Sequence, residues 1–291
     1  MTDSEWVRHL FHQKAFMTSI ALFGAGGKMG ARLAKNLQGS PFEVRHVEVS
    51  EAGQKRLQDE LGIRCCSVDD ALKGVDAVIL AVPDTLIGRI AADISPKLAA
   101  GTMVVTLDAA APFAGHLPQR EDLVYFVTHP CHPNIFNPQV HVEGSPDYFG
   151  GVRAPQSIVN ALMQGPEEAY ALGESIAKFI YQPIERSYRV TVEQMALLEP
   201  GLSETVCATL LDVMREAMDE VVSRGVPAEA ARDFLLGHMT ILSAVIFKQI
   251  PGQFSDACNK AITFGKPRLM RDDWKNIFDR QEIADSIQRI T

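Results

Sequence analysis

Three features of the sequence predict a doubly wound, parallel α/β sheet followed by an all-helical second domain. From Ser19 to about Val190, short apolar runs alternate with helical stretches. Most of those runs are almost continuously apolar, as strands covered on both faces are. After Glu193 the alternation stops, and apolar residues recur every three or four positions.

The strands are expected at Ile20–Phe23, Val44–Val49, Ala77–Val82, Met103–Leu107, Leu123–Thr128 and Ile158–Leu162. Helices are expected between them at Met29–Leu37, Glu51–Leu61, Leu86–Leu98 and Glu167–Phe179. Beyond Glu193 the series Leu198, Leu202, Val206, Leu210, Val213, Ala217 and Val221 has helix spacing. Gly225-Val226-Pro227 stops that helix and Ala228–Lys248 forms the next, with shorter helices to Thr291. The expected organisation is therefore an extension at residues 1–16, a nucleotide-binding domain at 17–192 and a helical substrate and dimerisation domain at 193–291. The extension is charged and lacks the apolar centre of a signal peptide. Met17, directly before the first strand, is an alternative start.

Composition narrows the class. The 291 residues suffice for two domains at roughly 150 residues each. Twenty-eight Lys and Arg against 36 Asp and Glu give a net charge of −8, with no basic block to bind nucleic acid or an anionic membrane. Hydrophobic residues at 46% and charged residues at 22% are those of an ordinary soluble globular protein. The longest apolar runs fall far short of the ~20 residues that cross a bilayer. Five cysteines without a CxxC pair point to reduced thiols and a cytoplasmic location.

The first strand runs into Gly24-Ala25-Gly26-Gly27-Lys28-Met29-Gly30, which opens a helix. Glycines there let backbone approach a pyrophosphate seated on the positive helix end, in the manner of Rossmann-type domains. Gly24, Gly26, Gly27, Lys28 and Met29 are the expected cofactor contacts. Glu48, 18 residues beyond Gly30, ends the second strand, where a carboxylate accepts from an adenosine ribose. No Arg is placed to grip a 2′-phosphate, Arg45 being expected to face away, so NAD is expected rather than NADP. The turn Ala81-Val82-Pro83-Asp84 adds Val82 and Pro83 at the carboxyl edge of the sheet.

Thr128-His129-Pro130-Cys131-His132-Pro133 ends a later strand. Each histidine precedes a proline and is thereby biased to extended backbone. In a polyproline path three residues advance about 9 Å, so His129 and His132 would share a face yet be too far apart for one ion unless the chain turns between them. One is then a ligand or an acid/base, the other a substrate contact. The Pro-, Gly- and Asn-rich stretch that follows, to about Ser157, has the length of a functional loop. Glu199-Pro200-Gly201-Leu202-Ser203-Glu204 is the second signal, since Pro-Gly within a helical pattern breaks a local rule. Glu199 and Ser203 would share a helical face, with Glu204 rotated roughly 140° away in an unbroken α-helix. Carboxylate plus imidazole suits Zn²⁺, Mn²⁺, Mg²⁺ or a similar divalent ion with open positions for a hydroxy acid.

The GAGGKMG loop, the AVPD turn, the THPCHP segment and the LLEPGLSET helix together resemble D-apionate oxidoisomerases. These are two-domain NAD-binding proteins related to 6-phosphogluconate dehydrogenase and ketol-acid reductoisomerase, often described as semialdehyde dehydrogenase NAD-binding proteins. The resemblance runs over nearly the whole chain from Met17. It implies NAD-linked oxidation of a branched 2,3-dihydroxy sugar acid at C2, then metal-assisted migration of a carbon substituent to give 3-oxo-isoapionate. It also implies a metal on His129 and Glu199; His132 is the substitute ligand, and His132 and Glu204 are the expected catalytic residues. The chain departs from β-hydroxyacid dehydrogenases, whose first interdomain helix carries a catalytic Lys, because Thr191–Val206 holds none. The His-His-x-x-Lys motif of dihydrodipicolinate reductases is absent too. Two other readings remain at this stage. One is a plain 2- or 3-hydroxy acid dehydrogenase with His129 as base and no metal; the other is a non-catalytic NAD-binding sensor. The broad apolar faces of the helical part imply a homodimer.

Overall fold

Strand and helix alternate along the chain, and the strands assemble side by side into one sheet. The computed structural model describes residues 17–143 and 145–291, so the 1–16 extension lies outside the described residues. The strands are β1 (Ser19–Phe23), β2 (Glu43–Val47), β3 (Ala77–Leu80), β4 (Met103–Thr106), β5 (Val124–Pro130), β6 (Gln156–Gln164) and β7 (Ile184–Arg189). Their order across the sheet is β2-β1-β3-β4-β5-β6-β7. The helices of this part are α1 (Lys28–Leu37), α2 (Glu51–Leu61), α3 (Val68–Leu72), α4 (Asp84–Ile94), α5 (Ala110–Phe113) and α6 (Ala169–Ile180).

Side chains alternate along each strand, and both faces are covered. Ile20, Leu22, Ile79, Val105, Phe126 and Ile158 pack with Leu33 and Leu37 of α1 and Ile176 and Ile180 of α6. Ala21, Val78, Leu80, Val104 and Tyr125 pack on the other side with Ile87 and Ile94 of α4. Each large side chain so buried contributes about 1.5–3 kcal/mol. That is why these strands read as continuous apolar runs.

The sheet departs from the expected all-parallel arrangement at one edge. β1 to β5 are parallel, but β6 lies antiparallel to β5 and β7 parallel to β6. An antiparallel neighbour needs no crossover helix, so β5 and β6 are joined by the long loop of residues 131–155. β7 escaped the sequence reading because Ile-Glu-Arg-Ser-Tyr-Arg is mostly polar and only partly covered. Charged residues suit an edge strand. Smaller shifts occur at strand ends: β2 stops at Val47 and leaves Val49 89% exposed, while β5 runs on to carry His129 within the strand.

The chain divides into two units, one reaching to Met195 together with Thr291 and the other spanning Ala196–Ile290. Helix α7 (Val192–Ala196) continues into a π-helix over Leu197–Ala208. Pro200 explains the widening: its ring lacks an N–H and would clash with the carbonyl four residues back, a conflict that an i→i+5 pattern relieves. Thr205 Oγ1 donates to the Pro200 carbonyl across that five-residue step at 2.6 Å. Pro200 and Gly201 are buried. A side chain at 201 would press on Ile283 and Phe278. The second unit continues with α8 (Thr209–Ser223), α9 (Ala228–Ile246), α10 (Asp256–Leu269) and α11 (Arg280–Ile290). Among the described residues, no helix is long and apolar enough to cross a membrane.

Candidate active site

The glycine loop is shaped by backbone contacts that a Cβ would destroy. Gly24 has φ +70°, and a Cβ on it would sit 2.3 Å from the Ala81 carbonyl oxygen and 2.9 Å from Val82 Cγ1. The Val82-Pro83 turn therefore lies directly against the loop. A Cβ at Gly30 would fall 2.0 Å from the Gly24 oxygen, and one at Gly26 would meet Gly53 backbone at 2.6 Å. Gly27 precedes α1 without any side-chain cap, and the first turn, which includes Lys28 and Met29, holds no acidic residue. Uncapped N–H groups and the helix dipole make that end an anion site. Lys28 is exposed, and Met29 packs on the core.

Glu48 stands just past β2. Its Oε2 accepts from Gly26 N–H at 2.8 Å and its Oε1 from Ser50 N–H at 2.8 Å. The carboxylate thus ties the glycine loop to the start of α2, and Gly53 leaves room for it. Each oxygen keeps a lone pair for a further donor such as a ribose hydroxyl. Arg45 points elsewhere, donating to the Asp70, Ala71 and Lys73 carbonyls. Sequence reasoning missed Arg56, which donates to the Gly26 carbonyl at 2.6 Å. Only the turn from β2 into α2 brings it back to the loop.

His129 and His132 are closer than extended backbone would place them. Cys131 still bonds to the Ser157 carbonyl at 2.8 Å. The chain then turns at His132, whose φ of +58° is left-handed rather than extended. The two rings consequently meet edge to face with centroids 6.3 Å apart. His129 Nδ1 lies 2.8 Å from the Leu107 carbonyl and His132 Nδ1 3.1 Å from the Phe149 carbonyl. A carbonyl can only accept, so both Nδ1 atoms are the donors, and in the neutral rings each Nε2 carries the lone pair. Burial pushes the His132 imidazole below its usual value; the Phe149 bond opposes this, while His129 and Arg32 add to it.

Asp108, which sequence reasoning also missed, follows β4 beside them. Its Oδ2 is 3.7 Å from His129 Nδ1, and its Oδ1 accepts from Ala110 N–H. Nothing in the local sequence marks it; the neighbouring of β4 and β5 does. Behind His129, Thr128 Oγ1 donates to Asn160 Oδ1, Asn160 donates to Ser187 Oγ, and Ser187 donates to Glu174. This chain, buried at Thr128 and Asn160 and reaching the half-buried Glu174, stiffens the end of β5. The loop after β5 is anchored by Asp147, 5% exposed, whose Oδ2 accepts from Val152, Arg153 and Ala154 N–H groups.

The first unit therefore gathers Asp108, His129 and His132, and it also carries the glycine loop with Glu48, Val82 and Pro83. Glu199 and Glu204 stand on the π-helix of the second unit, the first half-buried and the second exposed. The expected 140° separation does not hold there. With i→i+5 bonding, residue 204 returns toward the side of 199, where Ser203 also stays. Cys207, on the same π-helix, is exposed.

Family models match both parts of the chain. The model for the C-terminal domain of decarboxylating phosphogluconate dehydrogenase matches residues 137–291. The model for coenzyme F420-dependent NADP oxidoreductases matches residues 19–110. A D-apionate oxidoisomerase of Cupriavidus necator is 74% identical over 272 residues, covering 94% of this chain and 99% of its own. The chain belongs to the D-apionate oxidoisomerase family. A second member, from Rhizobium rhizogenes, is 70% identical over 275 residues, covering 94% and 100%. A crystal structure of a semialdehyde dehydrogenase NAD-binding protein from Cupriavidus necator, in complex with calcium and NAD, superposes with a TM-score of 0.92. It is 73% identical and covers 95% of this chain and 100% of that one. As a member of the D-apionate oxidoisomerase family, the chain is an enzyme of the oxidoreductase class.

Proposed function

We propose that the chain oxidises D-apionate with NAD⁺ and rearranges the product to 3-oxo-isoapionate, with a divalent cation assisting. Family membership supplies the substrate class. The observation that carries the chemistry is the pair of histidines, 6.3 Å apart, whose Nδ1 atoms are both held by carbonyls. Such rings present one lone pair each in a fixed direction, as general bases and metal ligands both require.

The dinucleotide fits the cradle described above, where three would-be Cβ atoms collide with backbone. When bound, NAD⁺ accepts the hydride from C2. Glu48 prefers an unphosphorylated ribose, since a carboxylate there repels a 2′-phosphate. His132 takes the proton of the C2 hydroxyl as hydride leaves, and Glu204 serves proton transfer in the rearrangement.

The donor set fits a divalent cation. Neutral His129, with its second nitrogen fixed by Leu107, is the state in which imidazole binds metal, and Asp108 adds a carboxylate beside it. His129 and Glu199 would hold the ion, with Asp108 a further ligand and His132 the substitute. Zn²⁺, Mn²⁺ or Mg²⁺ there would polarise the new ketone and stabilise negative charge on oxygen. The polypeptide's own task is to orient the vicinal hydroxyls and move their protons.

Five free thiols support a cytoplasmic setting. The 17–192 part would bind the dinucleotide, and the 193–291 part would complete the substrate site and dimerise. NADH production on D-apionate, with and without chelator and with products resolved by NMR, tests the proposal. Chelator-sensitive turnover to a rearranged 3-oxo acid is expected. Turnover that survives chelation and gives an unrearranged 2-oxo acid would leave a plain dehydrogenase.

A further inference from the structure

Arg32 stands on α1, one turn beyond the glycine loop, and reaches toward the loop that follows β5. Its guanidinium carbon lies 4.1 Å from the centroid of the Phe149 ring. Among the described residues Arg32 has neither a carboxylate partner nor a hydrogen bond; the aromatic face is its contact. Phe149 in turn touches His132 twice, through its carbonyl at 3.1 Å and its ring at 5.8 Å. Arg32 is thus a cation set beside His132, without an ion-pair partner among the described residues, and its charge is felt at His132.

A guanidinium lying over a ring is held by its face. Its five N–H donors lie in one plane, and none hydrogen-bonds to a described residue. That leaves the fork geometry that matches a carboxylate with two parallel bonds. The substrate class is an anion, and Arg32 offers its carboxylate a fixed positive charge.

We propose that Arg32, held against Phe149, binds the carboxylate of the sugar-acid substrate and so sets the preference for acids over uncharged polyols. This rests on reading the site as that of a sugar-acid oxidoreductase. Phe149 is the positioning residue, holding Arg32 by its ring and His132 by its carbonyl. The same fork could instead grip a phosphate of the dinucleotide, and the test separates these two anions.

The experiment titrates NADH by fluorescence into wild type, Arg32→Gln and Arg32→Lys. A panel of four- to six-carbon aldonates, D-apionate included, and their carboxamides is then titrated into each NADH complex. Arg32→Gln is expected to leave the NADH Kd within twofold and to weaken aldonate binding tenfold or more. The variant should bind acid and amide alike where wild type prefers the acid at least tenfold, and Arg32→Lys should fall between. Unchanged aldonate binding in Arg32→Gln would overturn the proposal, as would an NADH Kd that rises in step with it. Wild type that binds no aldonate, or binds acid and amide equally, would overturn it too. Wild type that binds aldonates but does not oxidise D-apionate would refute the proposed substrate and leave the role of Arg32 to the same titrations.

Discussion

His129 Nδ1 lies 2.8 Å from the carbonyl oxygen of Leu107, and this single bond between adjacent strands decides which nitrogen of the ring can act. Replacing His129 by Ala removes the lone pair and leaves the sheet intact. Turnover of D-apionate should fall by about 10²-fold or more, as loss of a ligand to a cation that stabilises several kcal/mol of developing charge would give. Affinity for NADH should stay within twofold. Steady-state kinetics with an NADH titration check both, and near wild-type kcat would remove His129 from the chemistry.

Glu48 should matter to the cofactor and not to the metal. Its carboxylate takes the Gly26 and Ser50 N–H groups and is the expected ribose contact. Glu48→Ala should raise KM for NAD⁺ on the order of tenfold, about 1.4 kcal/mol, and narrow the preference over NADP⁺. Bound divalent cation per chain should not change. An unaltered KM would take Glu48 off the ribose.

Acid should destabilise the fold through His46 on β2. Burial pushes its imidazole from 6.5 down to about 4, and its Nε2 is buried without a hydrogen-bond partner among the described residues. The unfolded chain takes up a proton near pH 6.5, whereas the folded chain resists it until about pH 4. The stability from this group is therefore complete above pH 6.5 and is lost progressively as pH falls toward 4. The loss is on the order of 3 kcal/mol at most, since one pKa unit is about 1.4 kcal/mol. His46→Gln should flatten that limb of urea unfolding midpoints measured from pH 7.5 to 4.5. Parallel curves for the two proteins would assign the acid sensitivity elsewhere.

What the sequence made legible follows from how local each cause is. β1, β3 and β4 are apolar because both faces are covered, and the glycine loop is readable because steric demands act between near neighbours such as Gly24 and Gly30. β7 was not readable, since a partly covered edge strand has no reason to be apolar. The reversal of β6 leaves no mark on composition. Asp108 and Arg56 reach the site through tertiary neighbours alone. His132 defeated a correct local rule: the residue before proline prefers extended backbone, yet the bond to Phe149, 17 residues on, accompanies a left-handed turn. Pro200 was seen as a violation, but its resolution as a π-helix depends on how the widened turns pack on Ile283 and Phe278.

A second copy of the chain should cover the exposed apolar helices. α8, α9 and α10 have 15, 19 and 14 residues, and among the described residues Ala231 is the only buried one within them. Isolated helices of that length are marginal in water, and packing of an apolar face is what stabilises them. Yet Phe234, Ile246, Phe247, Phe264 and Leu269 are 69, 59, 67, 63 and 74% exposed. A patch of this kind marks an interface, and closed two-fold symmetry is the commonest way for one chain to bury it against itself. Light scattering should give twice the chain mass. Phe247→Glu, which forces a charge into the interface, should shift the mass toward the monomer, lower the unfolding temperature and make it concentration-dependent. A monomeric wild type with a sharp, concentration-independent transition would show that these helices are stable uncovered and would refute the dimer.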